Sequence, residues 1–206
     1  RFLAATGSVA LAGLAGCAGD DGATDTTTDG SASPTTTRPP PASLANGSFE
    51  AGLAGWQVGR DLPEDPNTGG LVAAEAEVAA GGTGGRPAAT DGDHLLSLFI
   101  DGRQDDGTIW VQQQVDLRDA EELAVDIYSE MASANTVTKV AAYAGALPDT
   151  PLVESAFDTS EPADAHEGWK TVAFDASPEP HGLVAVGISV VWETEVTDFL
   201  DHVRLV

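Results

Sequence analysis

Apolar and polar residues alternate along the chain from Leu44 onward, and this period of two is the pattern of half-buried β-strands. Gly, Pro, Asp and Asn cluster between the alternating stretches, where they favour turns. The pattern predicts strands at residues 72–78, 96–100, 109–115, 123–130, 137–143, 169–174, 183–193 and 199–206. Helical periodicity is scarce. The sequence therefore predicts an all-β fold in which two sheets form a sandwich.

The alternation also predicts which side chains share a face of each strand. Trp110, Gln112 and Gln114 point to one side of their strand, while mostly apolar residues point to the other. Trp192 shares its face with four apolar residues of the strand 183–193, which predicts a core position. Residues 81–93 are rich in glycine and predict a long loop.

The residues before Leu44 differ in composition from the predicted sandwich. Residues 1–16 are too few and too rich in Gly and Ala to span a bilayer, and they fit the apolar region of a signal peptide. Residues 17–43 contain no large apolar side chain, so they cannot bury enough surface to fold and are expected to form a disordered tether. The predicted organisation is a cleaved signal peptide at 1–16, a tether at 17–43 and a β-sandwich at 44–206.

Cys17 is the only cysteine among 206 residues, so it has no intrachain disulfide partner. The run LAGC that ends at Cys17 resembles the lipobox of lipoproteins. This resemblance implies that the thiol receives a lipid, that the preceding peptide is removed, and that the protein is anchored at the extracellular face of the cell membrane. The first three residues, RFL, resemble the end of a twin-arginine export motif. Twin-arginine export and general secretion both remain open.

The chain is strongly acidic. It contains 33 Asp and Glu residues against 9 Lys and Arg residues, which gives a net charge of -24. No basic patch is available to neutralise phosphates, so neither nucleic acid nor an anionic lipid surface is an expected partner. The scarcity of lysine and the abundance of carboxylates resemble secreted proteins of halophilic archaea. Salt would screen the self-repulsion of such a surface.

Short motifs follow one another along the predicted domain. They are NGSFEAGLAGW at 46–56, DGDHLLSL at 91–98, WVQQQV at 110–115, GWK at 168–170 and FLDHVRL at 199–205. Their order and spacing resemble the galactose-binding-like jelly rolls, in particular the carbohydrate-binding modules of the 4/9 type. The resemblance covers about residues 45–206 and implies a two-sheet jelly-roll sandwich whose first strand is the segment 46–56.

The same resemblance implies a structural calcium ion held by Glu50 and Asp201. Calcium takes six to eight oxygen ligands, which can include main-chain carbonyls. The alternative is that both side chains are solvated carboxylates of an acidic surface. In addition, Asn46 begins an N-x-Ser sequon, which predicts N-glycosylation unless this residue packs into the domain.

The resemblance also implies a sugar ligand, which would be an extracellular or cell-envelope glycan. Sugars stack on aromatic rings and form hydrogen bonds with amides and carboxylates. The face formed by Trp110, Gln112 and Gln114 combines these groups. Tyr128 and Glu130 would extend it if their strand is adjacent. The alternative for Trp110 is a position in the core.

The sequence contains no recognised catalytic motif, such as a nucleophile elbow, an HExxH helix or a phosphate-binding loop. Glu193 and Glu195 would share a strand face, as paired carboxylates of retaining glycoside hydrolases do, but the residue order of those enzymes is absent. We therefore expect a non-catalytic, monomeric binding domain. A structural or adhesion domain without a sugar site remains open, and a sandwich-fold glycoside hydrolase is the third alternative.

Overall fold

The computed structural model describes residues 43–102, 107–130, 137–192 and 194–206. These residues form nine strands and one short 3-10 helix, Glu154–Ala156. The strands are β1 (Gln57–Asp61), β2 (Ala74–Ala80), β3 (His94–Gly102), β4 (Thr108–Val115), β5 (Glu122–Ser129), β6 (Thr138–Ala146), β7 (Gly168–Asp175), β8 (Gly182–Val190) and β9 (Thr194–Leu205). Within these ranges no helix is long and apolar enough to cross a bilayer. The predicted signal peptide, Cys17 and nearly all of the tether lie outside the described residues.

Two antiparallel sheets form the domain. One has four strands in the order β1-β4-β8-β6, and the other has five in the order β2-β3-β9-β5-β7. Neighbouring strands run antiparallel in both sheets. The all-β jelly-roll sandwich predicted from the sequence is confirmed. Residues 81–93 connect β2 to β3 without regular structure, as predicted.

The core lies between the two sheets because each strand turns its apolar side inward. Leu96, Leu98 and Ile100 of β3 are fully buried, and so are their counterparts on β5 and β8. The predicted alternation holds for these strands. β8 is buried along its whole length because residues 151–157 cover part of its outer face.

The segment 46–56 is not the first strand that its motif suggested. It forms consecutive turns, and the first strand begins at Gln57. Asn46 and Phe49 have φ angles of 53° and 58°, in the left-handed region that breaks extended structure. Phe49 is still fully buried and packs on Trp56, with ring centroids 5.7 Å apart. Thus the aromatic residues of the motif anchor the turns to the core.

Trp192 is not a core residue, contrary to the prediction. Its side chain is 58% exposed. β8 ends at Val190, and the N–H of Val191 donates to the carbonyl oxygen of Val137. The alternation that buries β8 therefore stops before it reaches Trp192.

The start of the domain is tied to the sandwich by one buried amide. The side-chain oxygen of Gln113 accepts the Ala45 N–H at 2.9 Å, and its NH₂ group donates to the Ala45 carbonyl oxygen at 2.9 Å. Gln113 lies on the inner side of β4, as the alternation predicts. Because both polar ends of the amide are satisfied by the backbone, this polar residue can be buried at little cost.

Candidate functional site

The ligand residues predicted from the sequence lie on opposite outer faces of the sandwich. Trp110, Gln112 and Gln114 belong to β4 in the four-stranded sheet, whereas Tyr128 belongs to β5 in the five-stranded sheet. Glu130 follows directly after β5. The two sets cannot form one surface, so the predicted extension of the β4 face by Tyr128 and Glu130 is wrong.

Trp110 does not offer an exposed ring. It is 2% exposed, and Phe157 packs on it with ring centroids 4.9 Å apart. Its Nε1–H donates to Gln112 Oε1 at 2.7 Å. The predicted role of Trp110 as a stacking platform is therefore wrong, because residues 151–157 fold over this part of the sheet. The alternative prediction for Trp110, a position in the core, agrees with its burial.

The remaining part of that face is a polar groove. Gln57, Gln112 and Gln114 line it together with Leu147 and Leu183, and its volume is about 300 Å³. Gln112 and Gln57 lie opposite each other on β4 and β1. We refer to this surface as the amide groove.

The outer face of the five-stranded sheet carries four half-buried aromatic side chains. They are Phe99 on β3, Phe199 on β9, Tyr128 on β5 and Trp169 on β7, and we call them the aromatic row. Phe199 pairs with Tyr128 across β9 and β5, and Tyr128 pairs with Trp169 across β5 and β7. The ring of Tyr128 lies 6.4 Å from Phe199 and 5.4 Å from Trp169. Two strand spacings separate Phe199 from Trp169, roughly 10 Å.

Trp169 is held in place by the loop 81–93. Its indole N–H donates to the Ala88 carbonyl oxygen at 2.9 Å. One edge of the ring is thus fixed by a hydrogen bond while the side chain stays partly exposed, which is the arrangement that lets tryptophan serve at interfaces. Ser97 and Thr197, both on this outer face, supply hydroxyl groups beside Phe199 and Phe99.

A cleft opens beside the middle of the aromatic row, where strand β5 ends. Its volume is about 330 Å³, and Tyr128, Phe199 and Glu130 line it. The remaining lining residues are Ser129, Val137, Asp164, Thr197 and Asp198. We call this the end cleft. Of the sequence-predicted ligand residues, Tyr128 and Glu130 are therefore brought together at one site.

Asp198 carries the most perturbed carboxyl group of the end cleft. Burial, together with the negative charge of Asp164, raises the pKa of Asp198 to about 7. The side chain falls on the inner side of β9, together with Val196 and Leu200. Glu193 lies outside the described residues, so the structure says nothing of its pairing with Glu195.

Glu50 and Asp201 both hold the turn that leads into β3. Glu50 Oε1 accepts the N–H groups of Asp93 and His94, each at 2.7 Å. Asp201 Oδ2 accepts the N–H groups of Thr90 and Asp91 at 2.7 and 2.9 Å, and Asp201 is fully buried. The hydrogen bond with the His94 ring, followed by those from the N–H groups of His94 and Asp93, lowers the pKa of Glu50.

This donor set does not suit a calcium ion. Calcium is bound by oxygen atoms, whereas the groups that face Glu50 and Asp201 are N–H donors. Among the described residues, no three His, Cys, Asp or Glu side chains are grouped as metal ligands. Calcium at Glu50 and Asp201 therefore stays a prediction that these contacts do not favour.

Asn46 uses its side chain inside the turns at 46–56. Its Nδ2 group donates to the carbonyl oxygens of Gly52 and Ala54 at 2.8 and 3.1 Å, and its Oδ1 atom accepts the Ala51 N–H at 3.0 Å. A glycan on Nδ2 would disturb these hydrogen bonds. Glycosylation of Asn46 stays a prediction, and the packing alternative matches the observed contacts.

Three residues of the aromatic row were missed as ligand candidates. Trp169 and Phe199 were noted only as parts of family motifs, and Phe99 was not singled out. The available signal was the two-residue alternation: Phe99 and Phe199 alternate with the inward-facing residues Leu98 and Leu200, so they face outward. The alternation does not show which strands are neighbours, so it could not predict that these aromatic residues lie side by side.

No family model matches the sequence, and no curated protein matches it. Several solved structures resemble the fold at low identity. TmCBM61, solved with beta-1,4-galactotriose, is 16% identical over 82% of this chain and 99% of its own, with a TM-score of 0.48. A family 11 carbohydrate-binding module from Clostridium thermocellum, in complex with a mixed-linked tetrasaccharide, is 13% identical over 82% and 97%, with a TM-score of 0.46.

A cyclase from Fischerella sp. TAU is also similar. It is 20% identical over 79% of this chain and 94% of its own, with a TM-score of 0.47. Likenesses this distant do not assign a function. The function must be argued from the side chains of this domain.

Proposed function

We propose that this protein is a non-catalytic carbohydrate-binding domain whose ligand lies along the aromatic row and reaches into the end cleft. The observation that carries the proposal is the row itself: Phe199, Tyr128 and Trp169 lie side by side on three adjacent strands and remain partly exposed. The motif resemblance to carbohydrate-binding modules agrees with this.

The chemistry of the surface matches that of a sugar chain. A pyranose ring has an apolar face of C–H groups and a rim of hydroxyls. Aromatic rings offer large apolar area with little conformational entropy to lose. Beside the middle of the row, Glu130 and Thr197 offer oxygen atoms that can form hydrogen bonds with hydroxyl groups. The row is longer than a single sugar ring, so an oligosaccharide is the fitting ligand class.

The tether and the lipid fit this role. An extended chain rises about 3.1 Å per residue, so residues 17–43 could hold the domain up to roughly 80 Å from a membrane. Lipidation of Cys17 would place the aromatic row at the extracellular face of the cell, where it would retain glycan near the surface. The acidic surface fits a high-salt medium, in which the charge repulsion is screened.

A glycan array tests the binding function. We expect the full chain, assayed in molar salt, to bind a restricted set of oligosaccharides and to release no product from them. Binding to none of the glycans would refute the proposal and leave the structural or adhesion alternative. Hydrolysis of a bound glycan would instead refute the non-catalytic assignment.

The anchor is tested separately. Replacing Cys17 with serine removes the thiol that lipidation requires, so we expect the variant to appear in the medium or to remain unprocessed. Mass spectrometry of the membrane and medium fractions distinguishes these outcomes from the lipid-modified wild type. If the serine variant is still processed and retained by a lipid, the lipobox interpretation is wrong.

A further inference from the structure

Two carboxyl groups in the end cleft each have an oxygen atom without a partner. Within the part of the chain that the structure describes, Asp164 Oδ1 and Asp198 Oδ2 are shielded from solvent and form no hydrogen bond. The other oxygen of Asp164 accepts the Val137 N–H at 2.9 Å, which fixes the orientation of this side chain. Both residues line the same cleft, beside Ser129 and Glu130.

Such an arrangement lacks the charge compensation that a buried carboxylate needs. Removing an ionised carboxylate from water is costly unless it is paired, hydrogen-bonded or coordinated to a metal. Among the described residues, neither Asp164 nor Asp198 forms an ion pair. The nearby charge that acts on Asp198 is that of Asp164. It has the same sign and therefore destabilises the ionised form of Asp198 further.

We propose that the end cleft binds a divalent cation, with calcium as the fitting ion, through Asp164 and Asp198. Carboxylate oxygen atoms are the hard ligands that calcium prefers. No third His, Cys, Asp or Glu side chain joins these two among the described residues. Main-chain oxygen atoms and water in the cleft, whose volume is about 330 Å³, would therefore complete the coordination shell. Calcium accepts six to eight ligands in a flexible geometry, whereas magnesium requires a near-ideal octahedron.

This site is distinct from the calcium site that the family resemblance implies. The carboxylates of Glu50 and Asp201 already accept hydrogen bonds from N–H groups, whereas Asp164 Oδ1 and Asp198 Oδ2 have no hydrogen-bond partner among the described residues. The proposal does not depend on glycan binding, because it concerns the charge balance of the cleft alone.

Isothermal titration of the chelator-stripped full chain with calcium chloride tests the proposal. We would work in molar potassium chloride, which screens weak binding to the acidic surface, at about pH 8, above the pKa of Asp198. We expect one saturable calcium site in the wild type. Asp198→Asn and Asp164→Asn should each weaken it by about tenfold or more, because each removes a charged ligand.

Two control variants make the result decisive. Asp175→Asn removes the same charge from an exposed position on the edge strand β7 and should bind as the wild type does. Glu50→Gln should also leave the calcium affinity unchanged. Asp198→Asn removes an unpartnered carboxylate and is therefore expected to fold at least as stably as the wild type, which circular dichroism would verify.

Three outcomes would overturn the proposal. They are no saturable site in the wild type, equal affinity in Asp198→Asn, and loss of binding in Glu50→Gln while Asp198→Asn still binds. The third would support the calcium site that the family resemblance implies. Because the readout is calcium itself, failure here leaves the glycan array result unaffected, and failure of the array leaves the calcium result unaffected.

Discussion

Trp169→Ala is expected to weaken glycan binding by about thirtyfold, the equivalent of roughly 2 kcal/mol. Trp169 ends the aromatic row and presents the largest ring in it. Its indole N–H is bonded to Ala88, so the ring is held in place before a ligand arrives. Removing it deletes both the stacking area and this preorganisation. Affinity gel electrophoresis or calorimetry with the best glycan of the array measures the change.

A second variant separates the two contributions of Trp169. Trp169→Phe keeps an aromatic ring but loses the N–H that bonds Ala88, so it should retain more affinity than Trp169→Ala. Tyr143→Ala is the matched control, because Tyr143 is a half-buried aromatic residue on the other sheet. If Gln114→Ala abolishes binding while Trp169→Ala binds normally, the ligand lies in the amide groove and the aromatic row is not the site.

Asp201→Ala is expected to reduce the free energy of unfolding by about 3 kcal/mol or more. The buried carboxylate accepts N–H groups from Thr90, Asp91 and His202, and the Thr90 hydroxyl group as well. Alanine would leave these donors buried without a partner. For a domain of this size, the loss corresponds to a fall in melting temperature of roughly 10 °C.

Denaturant unfolding of Asp201→Ala beside Asp175→Ala, which alters an exposed carboxylate, checks this expectation. Both measurements are made with and without chelator. A cost below about 1 kcal/mol would mean that the N–H contacts contribute little. A cost that appears only with calcium present would show that Asp201 acts as a metal ligand instead.

The alternation of apolar residues predicted most of the fold because it reflects burial, which acts on each strand locally. Strands β3, β4 and β5 follow it closely, and the inward position of Gln113 follows it too. It failed at Trp192, where the strand ends earlier than its pattern. The first strand at 46–56 was implied by the family resemblance rather than by the alternation, and it is wrong because left-handed φ angles at Asn46 and Phe49 form turns there.

The candidate site was less accessible to sequence reasoning. Trp110 looked like an exposed platform because its neighbours at period two are glutamines, but the ring is covered by Phe157, which is remote in sequence. Tyr128 and Glu130, which the sequence analysis selected together, do line one cleft, but they were joined to the wrong face. Sheet membership depends on strand order, which side-chain patterns do not encode.

The sequence by itself determined that this is an acidic all-β domain, with a lone Cys17 that predicts a lipid anchor and with inward and outward sides on each strand. Those features depend on composition and local periodicity, which are properties of contiguous residues. Only the tertiary structure decided that Phe99, Phe199, Tyr128 and Trp169 form one row and that Asp164 meets Asp198 in a cleft. The physical reason is that these groups come from strands and loops far apart in the chain, and pairing between sheet neighbours brings them together.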